Sequence, residues 1–146
     1  MAATRPQPLQ LIASIHRATH RIGLYIAQMS HLGVTQPEAH ILDHLVCHGD
    51  ATVGELHAAF AHRRSTLTSV LDRLSDKKLV AREASEADRR TFVVRLTPAG
   101  KALAMRLQKP LREIEARVLA QVSARDVAGF KKVLAALEEV LRNHPT

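Results

Sequence analysis

The sequence predicts a mainly α fold with a small β-hairpin wing, in which a winged helix-turn-helix domain is flanked by N- and C-terminal dimerisation helices. Three observations lead to this prediction. With 46% hydrophobic but only 3% aromatic residues, and with Leu and Ala dominant, the composition favours helices over a β-sandwich. Apolar residues recur at helical spacing along most of the chain. Residues 79–96 instead form two β-rich segments around a polar run.

The N-terminal third contains an arm and two predicted helices. Residues 1–8 include two prolines and little apolar surface, so we expect a flexible arm. Apolar residues at helical spacing predict a first helix over residues 9–30. Thr35-Gln-Pro-Glu38 has the form of a capping box, and it predicts a second helix that runs to about His48.

The next two helices have the spacing of a helix-turn-helix. Thr52-Val-Gly-Glu55 is a second capping box and starts a short helix through about Phe60. A further helix is predicted over residues 64–78, and its buried stripe consists of Leu67, Val70, Leu71 and Leu74.

A hairpin and two terminal helices complete the order α-α-α-α-β-β-α-α. The predicted strands are residues 79–84 and 91–96, and the charged tip lies between them. Thr97-Pro98 starts a helix to roughly Gln121, and Ser123-Ala-Arg-Asp126 caps the last helix. Residues 35–97 are therefore predicted to form the winged helix-turn-helix domain.

The terminal segments, residues 9–34 and 98–146, carry more apolar surface than a small middle domain can cover. We expect these helices to pack against those of a second copy in a homodimer. The alternative is a monomer whose terminal helices pack only on each other and on the middle.

Charge in the middle of the chain favours double-stranded DNA as the partner. The net charge is +7, and nine basic against five acidic residues leave +4 between residues 61 and 95. A helix fits the major groove of B-DNA, and a hairpin can reach the neighbouring minor groove. Arginine and short hydroxyl side chains suit base edges and phosphates. The predicted DNA-binding residues are Arg63, Arg64, Ser65, Thr66, Thr68, Ser69, Arg73, Asp88, Arg89 and Arg90.

The ordered string of motifs resembles the MarR family of bacterial winged-helix regulators. It comprises Leu71-Asp72-Arg73-Leu74, Leu79-Val-Ala-Arg82, Asp88-Arg-Arg90 and Leu96-Thr-Pro-Ala-Gly100. The resemblance implies a dimeric, ligand-responsive repressor on a pseudo-palindromic operator. It also implies that Arg90 enters the minor groove, that Asp88 orients Arg90, and that Arg73 reaches the DNA backbone or a base edge.

Two positions depart from the family pattern. Ala61-His62 stand where the family often has glycine and an aliphatic residue, and Lys78 stands where it usually has glycine.

The two copies of the expected dimer imply two DNA half-sites about one helical turn apart. The expected operator is therefore a palindrome of about 16–20 base pairs.

Nine histidines form the other unusual feature of the sequence. His40, His44 and His48 recur every four residues, which is spacing that lets neighbouring imidazoles share a metal ion. A metal- or haem-responsive DNA-binding sensor is therefore an alternative hypothesis, although a polar helix face explains these residues without a cofactor. In the resembled family a crevice near the dimer interface holds effectors, and His16, His20 and His44 are candidates to line it around a small aromatic or acidic ligand.

The remaining features exclude several other functions. The single cysteine, Cys47, is expected to be a buried, inert thiol rather than a redox sensor. No phosphate loop or nucleophile motif supports an enzyme, and no cofactor is predicted. No segment has the length of a membrane span, so a cytoplasmic location is expected.

A different class of function also stays open, in which the winged helix binds only other proteins and has no DNA-binding role.

Overall fold

The structure, a computed structural model, describes residues 10–60 and 63–144, apart from the side chain of Ser30. The predicted arm at residues 1–8 and the Ala61-His62 pair lie outside the described residues. The chain divides into two compact units, residues 1–107 and 108–146.

The helices of the first unit follow the predicted order. The first helix ends earlier than predicted, because a 3₁₀ turn over Gln28–Leu32 replaces its last residues, and Gly33 then takes a positive φ of 80°. The helices are α1 (Gln10–Ala27), α2 (Gln36–His48), α3 (Val53–Phe60), α4 (Arg64–Asp76) and the first part of α5 (Pro98–Leu119).

The wing belongs to a three-stranded antiparallel sheet. Its strands are β1 (Ala51–Thr52), β2 (Val80–Ala84) and β3 (Phe92–Leu96), in the order β1-β3-β2. The prediction of two strands missed β1, in which Ala51 pairs with Val94. Thr52 both ends this strand and caps α3, since its Oγ1 accepts from the backbone N–H of Glu55 over 3.1 Å and its own backbone N–H donates to Glu55 Oε2 over 2.7 Å. The predicted class, mainly helical with a small wing, is confirmed.

The core of the first unit lies between α2, α3, α4 and the sheet. The predicted stripe of α4 is confirmed, because Leu67, Val70, Leu71 and Leu74 are all at most 1% exposed. It is joined by further buried residues from the neighbouring elements, which are Ile41, Leu42, Leu45, Leu56 and Val94.

The junction that links α4, β2 and α5 is tightly built. Thr97 Oγ1 donates to the carbonyl oxygen of Lys78 over 2.7 Å, and the backbone N–H of Gly100 donates to Thr97 Oγ1 over 3.0 Å. A Cβ atom on Gly100 would lie 1.8 Å from the carbonyl oxygen of Leu79, so only glycine fits there. This contact explains the glycine of the Leu96-Thr-Pro-Ala-Gly100 motif.

The second unit contains the rest of α5 and α6 (Ala124–Arg142). As predicted, Ser123 caps α6: its side chain accepts from the backbone N–H of Asp126 over 3.2 Å. Several large apolar side chains of this unit are exposed, and they are Ile114, Val118, Leu119, Val122, Phe130, Val133, Val140 and Leu141.

Candidate nucleic-acid interface

One end of α4 presents the polar face that the sequence predicted. Because the apolar stripe of α4 faces the core, the opposite side of its first two turns faces outward. The exposed residues there are Arg63, Arg64, Ser65, Thr66, Thr68 and Ser69. Among them, Thr68 Oγ1 donates to the carbonyl oxygen of Arg64 over 2.9 Å, and Ser69 Oγ accepts from Arg73 over 2.9 Å.

A groove of about 370 Å³ separates the N-terminal ends of α3 and α4. It is lined by Val53, Gly54, His57, Arg64, Leu67 and Thr68. Two of these residues, Arg64 and Thr68, were predicted to bind DNA. His57 was not, because nothing in its spacing on α3 distinguishes it from a solvated helix residue.

The tip of the wing is held by Asp88. Its carboxylate accepts from the backbone N–H of Arg90 over 2.9 Å and from Thr91 Oγ1 over 3.2 Å. The backbone N–H of Ser85 donates across the tip to the carbonyl oxygen of Thr91 over 2.7 Å. Asp88 therefore fixes the backbone at Arg90 and leaves the exposed Arg89 and Arg90 side chains on the surface.

Four of the nine cations between residues 61 and 95 are paired with carboxylates. Arg73 and Lys77 contact Glu38 over 2.9 and 2.7 Å. Arg82 contacts Asp72 over 2.6 Å, and so joins β2 to α4. Arg95 lies 2.9 Å from Asp50 and 3.5 Å from Glu83.

The other cations are concentrated at two places. Across residues 10–60 and 63–144, no salt bridge is formed by Arg63, Arg64, Lys78, Arg89 or Arg90. Four of these five are at the start of α4 or the tip of the wing. The unpaired positive charge of residues 61–95 therefore lies mainly at the start of α4 and at the tip of the wing, where the sequence predicts DNA contacts.

Arg73 has a different environment from the other predicted DNA-binding residues. Its Nε donates to Glu38 Oε1 over 2.9 Å and one terminal nitrogen donates to Ser69, although 45% of the side chain stays exposed. Its contact with DNA remains a prediction. Glu38 and Lys77 were not foreseen as partners, because the sequence identified Glu38 only as the end of a capping box.

Glu38 is buried and ionised. Burial raises its pKa, but hydrogen bonds from Lys77, from the backbone of Thr35 and from Arg73 outweigh that effect, so its pKa lies below the ordinary value. The pair of cations is spaced four residues apart, which places both on one face of α4.

The histidines do not come together as a metal site. No group of three or more His, Cys, Asp or Glu in the described part of the chain is placed to hold a metal ion. The ring of His44 lies 4.6 Å from that of His48 and 5.3 Å from that of Phe60. Burial, followed by the charge of His48, lowers the pKa of His44 against opposing effects of Asp43 and Glu55. His16 and His20 lie exposed on α1.

The expectation of a buried cysteine was wrong. Cys47 is exposed on the last turn of α2. Two residues beyond the buried Leu45, it lies about 200° around the helix from the apolar stripe.

Comparison with known proteins identifies the family. The MarR family profile matches residues 32–91, which span α2, the helix-turn-helix and most of the wing. An HTH-type transcriptional repressor of Mycobacterium tuberculosis is 35% identical over 111 residues, which cover 76% of this chain and 80% of that protein. The chain belongs to the MarR family. This family consists of winged-helix transcriptional regulators, as the resemblance of the motifs predicted.

Solved structures of MarR-type regulators share the fold. The transcription regulator MarR from Oenococcus oeni superposes with a TM-score of 0.75 at 20% identity, over 88% of this chain and 98% of that one. MepR of Staphylococcus aureus in complex with DNA gives 0.73 at 22% identity, over 88% and 96%. Among the described residues, no helix is long and apolar enough to cross a membrane.

Proposed function

We propose that this MarR-family regulator is a homodimeric repressor that binds a pseudo-palindromic duplex sequence and releases it in response to a small ligand. The N-terminal half of α4 enters the major groove, and the wing tip with Arg90 enters the adjacent minor groove. The observation that carries the proposal is the distribution of charge. Of the nine cations between residues 61 and 95, five form no salt bridge within the described part of the chain, and four of these five lie at these two places.

The short hydroxyl residues on α4 add to this argument. Ser65 and Thr66 are exposed next to Arg63 and Arg64, where they can donate to phosphates or base edges. By contrast, the wing strands use Arg82 and Arg95 for ion pairs that hold the hairpin to α4 and to the turn before β1. One set of cations builds the scaffold, and the other set is available for DNA.

The comparisons support the biological class. A protein that shares this fold is seen in complex with DNA, and the M. tuberculosis relative is named as a repressor. We infer the same activity for this chain because its exposed arginines lie on the corresponding helix-turn-helix and wing.

Exposed apolar side chains support a homodimer. In the first unit, α1 exposes Leu11, Ile12, Ile22 and Leu24 by 46% to 57%. In the second unit, α6 exposes Phe130, Val140 and Leu141 by 54% to 61%. A second copy is the partner that would remove this surface from water.

Release by a ligand rests on the histidines of the first two helices. His16, His20 and His44 offer imidazoles to a small aromatic or acidic effector. The lowered pKa of His44 favours its neutral form, which donates one hydrogen bond and accepts another. Effector binding to these residues remains our proposal.

Selection of bound duplexes from a random DNA pool tests the central proposal and supplies the operator. Enrichment of a two-fold symmetric sequence of about 16–20 base pairs is the expected result. Binding should weaken steeply with salt, because each phosphate contact releases counterions. A protein-contact module would enrich no sequence, and that outcome would overturn the proposal.

A further inference from the structure

The Glu38 cluster consists of Glu38, Arg73 and Lys77. Glu38 lies on the first turn of α2 and its side chain is 0% exposed. Arg73 lies on α4 and Lys77 is the C-cap residue of α4, and they keep 45% and 38% of their side chains exposed. One carboxylate oxygen accepts from Arg73, and the other accepts from Lys77 and from the backbone N–H of Thr35 over 2.9 Å. Lys77 also donates to the carbonyl oxygen of Gly33 over 2.8 Å.

The cluster therefore ties α4 to two neighbours at once. Glu38 provides the link to α2, and Gly33 provides the link to the segment that leads into α2. Both contacts are made by side chains that lie off the axis of α4, so a rotation of α4 about that axis would stretch both of them.

Rotation of α4 matters for DNA recognition because hydrogen bonds to base edges depend on the direction in which its polar side chains point. The side chains of a helix end about 5–6 Å from its axis, so a rotation of about 20° moves them by roughly 2 Å. That displacement is large compared with the tolerance of a hydrogen bond to a base edge. Contacts to phosphates that depend on charge alone are less sensitive to it.

We propose that Glu38 is a positioning residue for sequence-specific DNA binding, and that it sets the rotation of the recognition helix through Arg73 and Lys77. This proposal rests on the proposed function and assigns Arg73 a role within the protein instead of a contact with DNA. The hydrogen bonds keep Glu38 ionised despite its burial, and so they keep the cluster intact at neutral pH.

Glu38→Gln provides a test in which two effects have opposite signs. The glutamine oxygen can still accept from Thr35, but the attraction to the two cations is lost. Removing one negative charge and releasing Arg73 and Lys77 would strengthen binding to any DNA by simple electrostatics. Loss of the correct helix rotation would instead weaken binding to the selected sequence only.

The experiment measures affinity by fluorescence anisotropy for two duplexes. One is the sequence enriched by the wild-type chain from a random pool, and the other is a scrambled duplex of equal length and composition. For Glu38→Gln we expect affinity for the selected duplex to fall about tenfold, the discrimination carried by one well-made base contact. Affinity for the scrambled duplex should be unchanged or higher.

Two further variants complete the design. Arg73→Lys conserves charge but cannot reach Glu38 and Ser69 together, so it should lower the ratio of the two affinities without changing the salt dependence. If circular dichroism shows that Glu38→Gln is unfolded, Arg73→Lys provides the test. Asp126→Asn removes the acid of the α6 capping box, outside the helix-turn-helix, and should leave the ratio unchanged.

The outcomes separate the two proposals. If the wild-type chain enriches no duplex, the proposed function fails and the positioning role fails with it. If the wild type binds but folded Glu38→Gln and Arg73→Lys keep the wild-type ratio, the DNA-binding proposal stands and the positioning role is overturned.

Discussion

Lys78 holds a backbone conformation that residues with a Cβ rarely adopt. Its φ is 56°, and it follows the end of α4 at Lys77. The backbone N–H of Leu79 donates to the carbonyl oxygen of Leu74, and that of Lys78 donates to Ser75, both over 2.9 Å. These two bonds form a Schellman motif, in which glycine is the preferred residue at the left-handed position. The family pattern has glycine here, and the structure shows the physical reason.

Lys78→Gly is therefore expected to stabilise the fold. The left-handed conformation costs a residue with a Cβ about 1–2 kcal/mol, and glycine avoids that cost. The greater conformational freedom of glycine in the unfolded chain cancels about 0.5–1 kcal/mol of the resulting gain in stability. The free energy of unfolding should rise by about 0.5–1 kcal/mol. Urea denaturation at one fixed protein concentration measures it, since any self-association would make the stability depend on concentration.

Lys78→Ala is the matched control, because it removes the same charged side chain but keeps the Cβ atom. It should show none of the gain. Equal stability of the glycine and alanine variants would mean that the left-handed backbone is not strained.

At the scale of elements, the wing separates the arginines that form ion pairs from the arginines proposed to contact DNA. Arg82 and Arg95 are on the strands and are bound by carboxylates, whereas Arg89 and Arg90 are on the tip that Asp88 holds. The strands can therefore keep their arrangement while the tip residues reach outward. This division predicts that substitutions at the tip change DNA binding without changing the fold.

Arg90→Ala should weaken binding to the selected duplex by more than about tenfold, because an arginine in the narrow minor groove meets enhanced negative potential. Fluorescence anisotropy measures the affinity, and circular dichroism checks the fold. Arg95→Ala makes the same change in net charge at a residue held by Asp50 and Glu83, and its loss of affinity should be smaller. An Arg90→Ala affinity within about twofold of the wild type would contradict the minor-groove role.

Local patterns were sufficient to predict most elements but not the contacts between distant segments. The capping boxes at Thr52 and Ser123 depend on residues three positions apart, and both are confirmed. Strand β1 was missed because two residues carry no periodicity, and its pairing with β3 joins positions more than 40 residues apart. Glu38 was likewise read as a local cap, since only the approach of α2 to α4 brings Arg73 and Lys77 to it.

At the scale of the whole molecule, the exposed apolar side chains of α1 and α6 are the basis for the proposed homodimer. Leu24 on α1 and Leu141 on α6 are 53% and 61% exposed. Removing residues 1–30 would test a role for α1 in the dimer, but it would also remove Met29, which is buried in the first unit. Substitutions of exposed side chains on α6 leave that core intact and so give a cleaner measurement.

The double variant Phe130→Glu/Leu141→Glu is expected to be monomeric. The two residues are eleven positions apart, or about three helical turns, so they lie on one face of α6. A dimer that used this face would have to bury the two introduced carboxylates, and the free energy needed to remove them from water exceeds the gain from association. Sedimentation velocity should give twice the chain mass of 16.1 kDa for the wild type and the single mass for the variant.

The control Ala128→Glu/Ala135→Glu introduces the same two charges on the opposite face, since Ala128 lies about 200° around the helix from Phe130. It should remain dimeric. The monomeric variant should also bind the full symmetric duplex no more tightly than a half-site, because two linked helix-turn-helix domains gain affinity only when both engage at once. A Phe130→Glu/Leu141→Glu protein that sediments as a dimer would exclude this face of α6 from the interface.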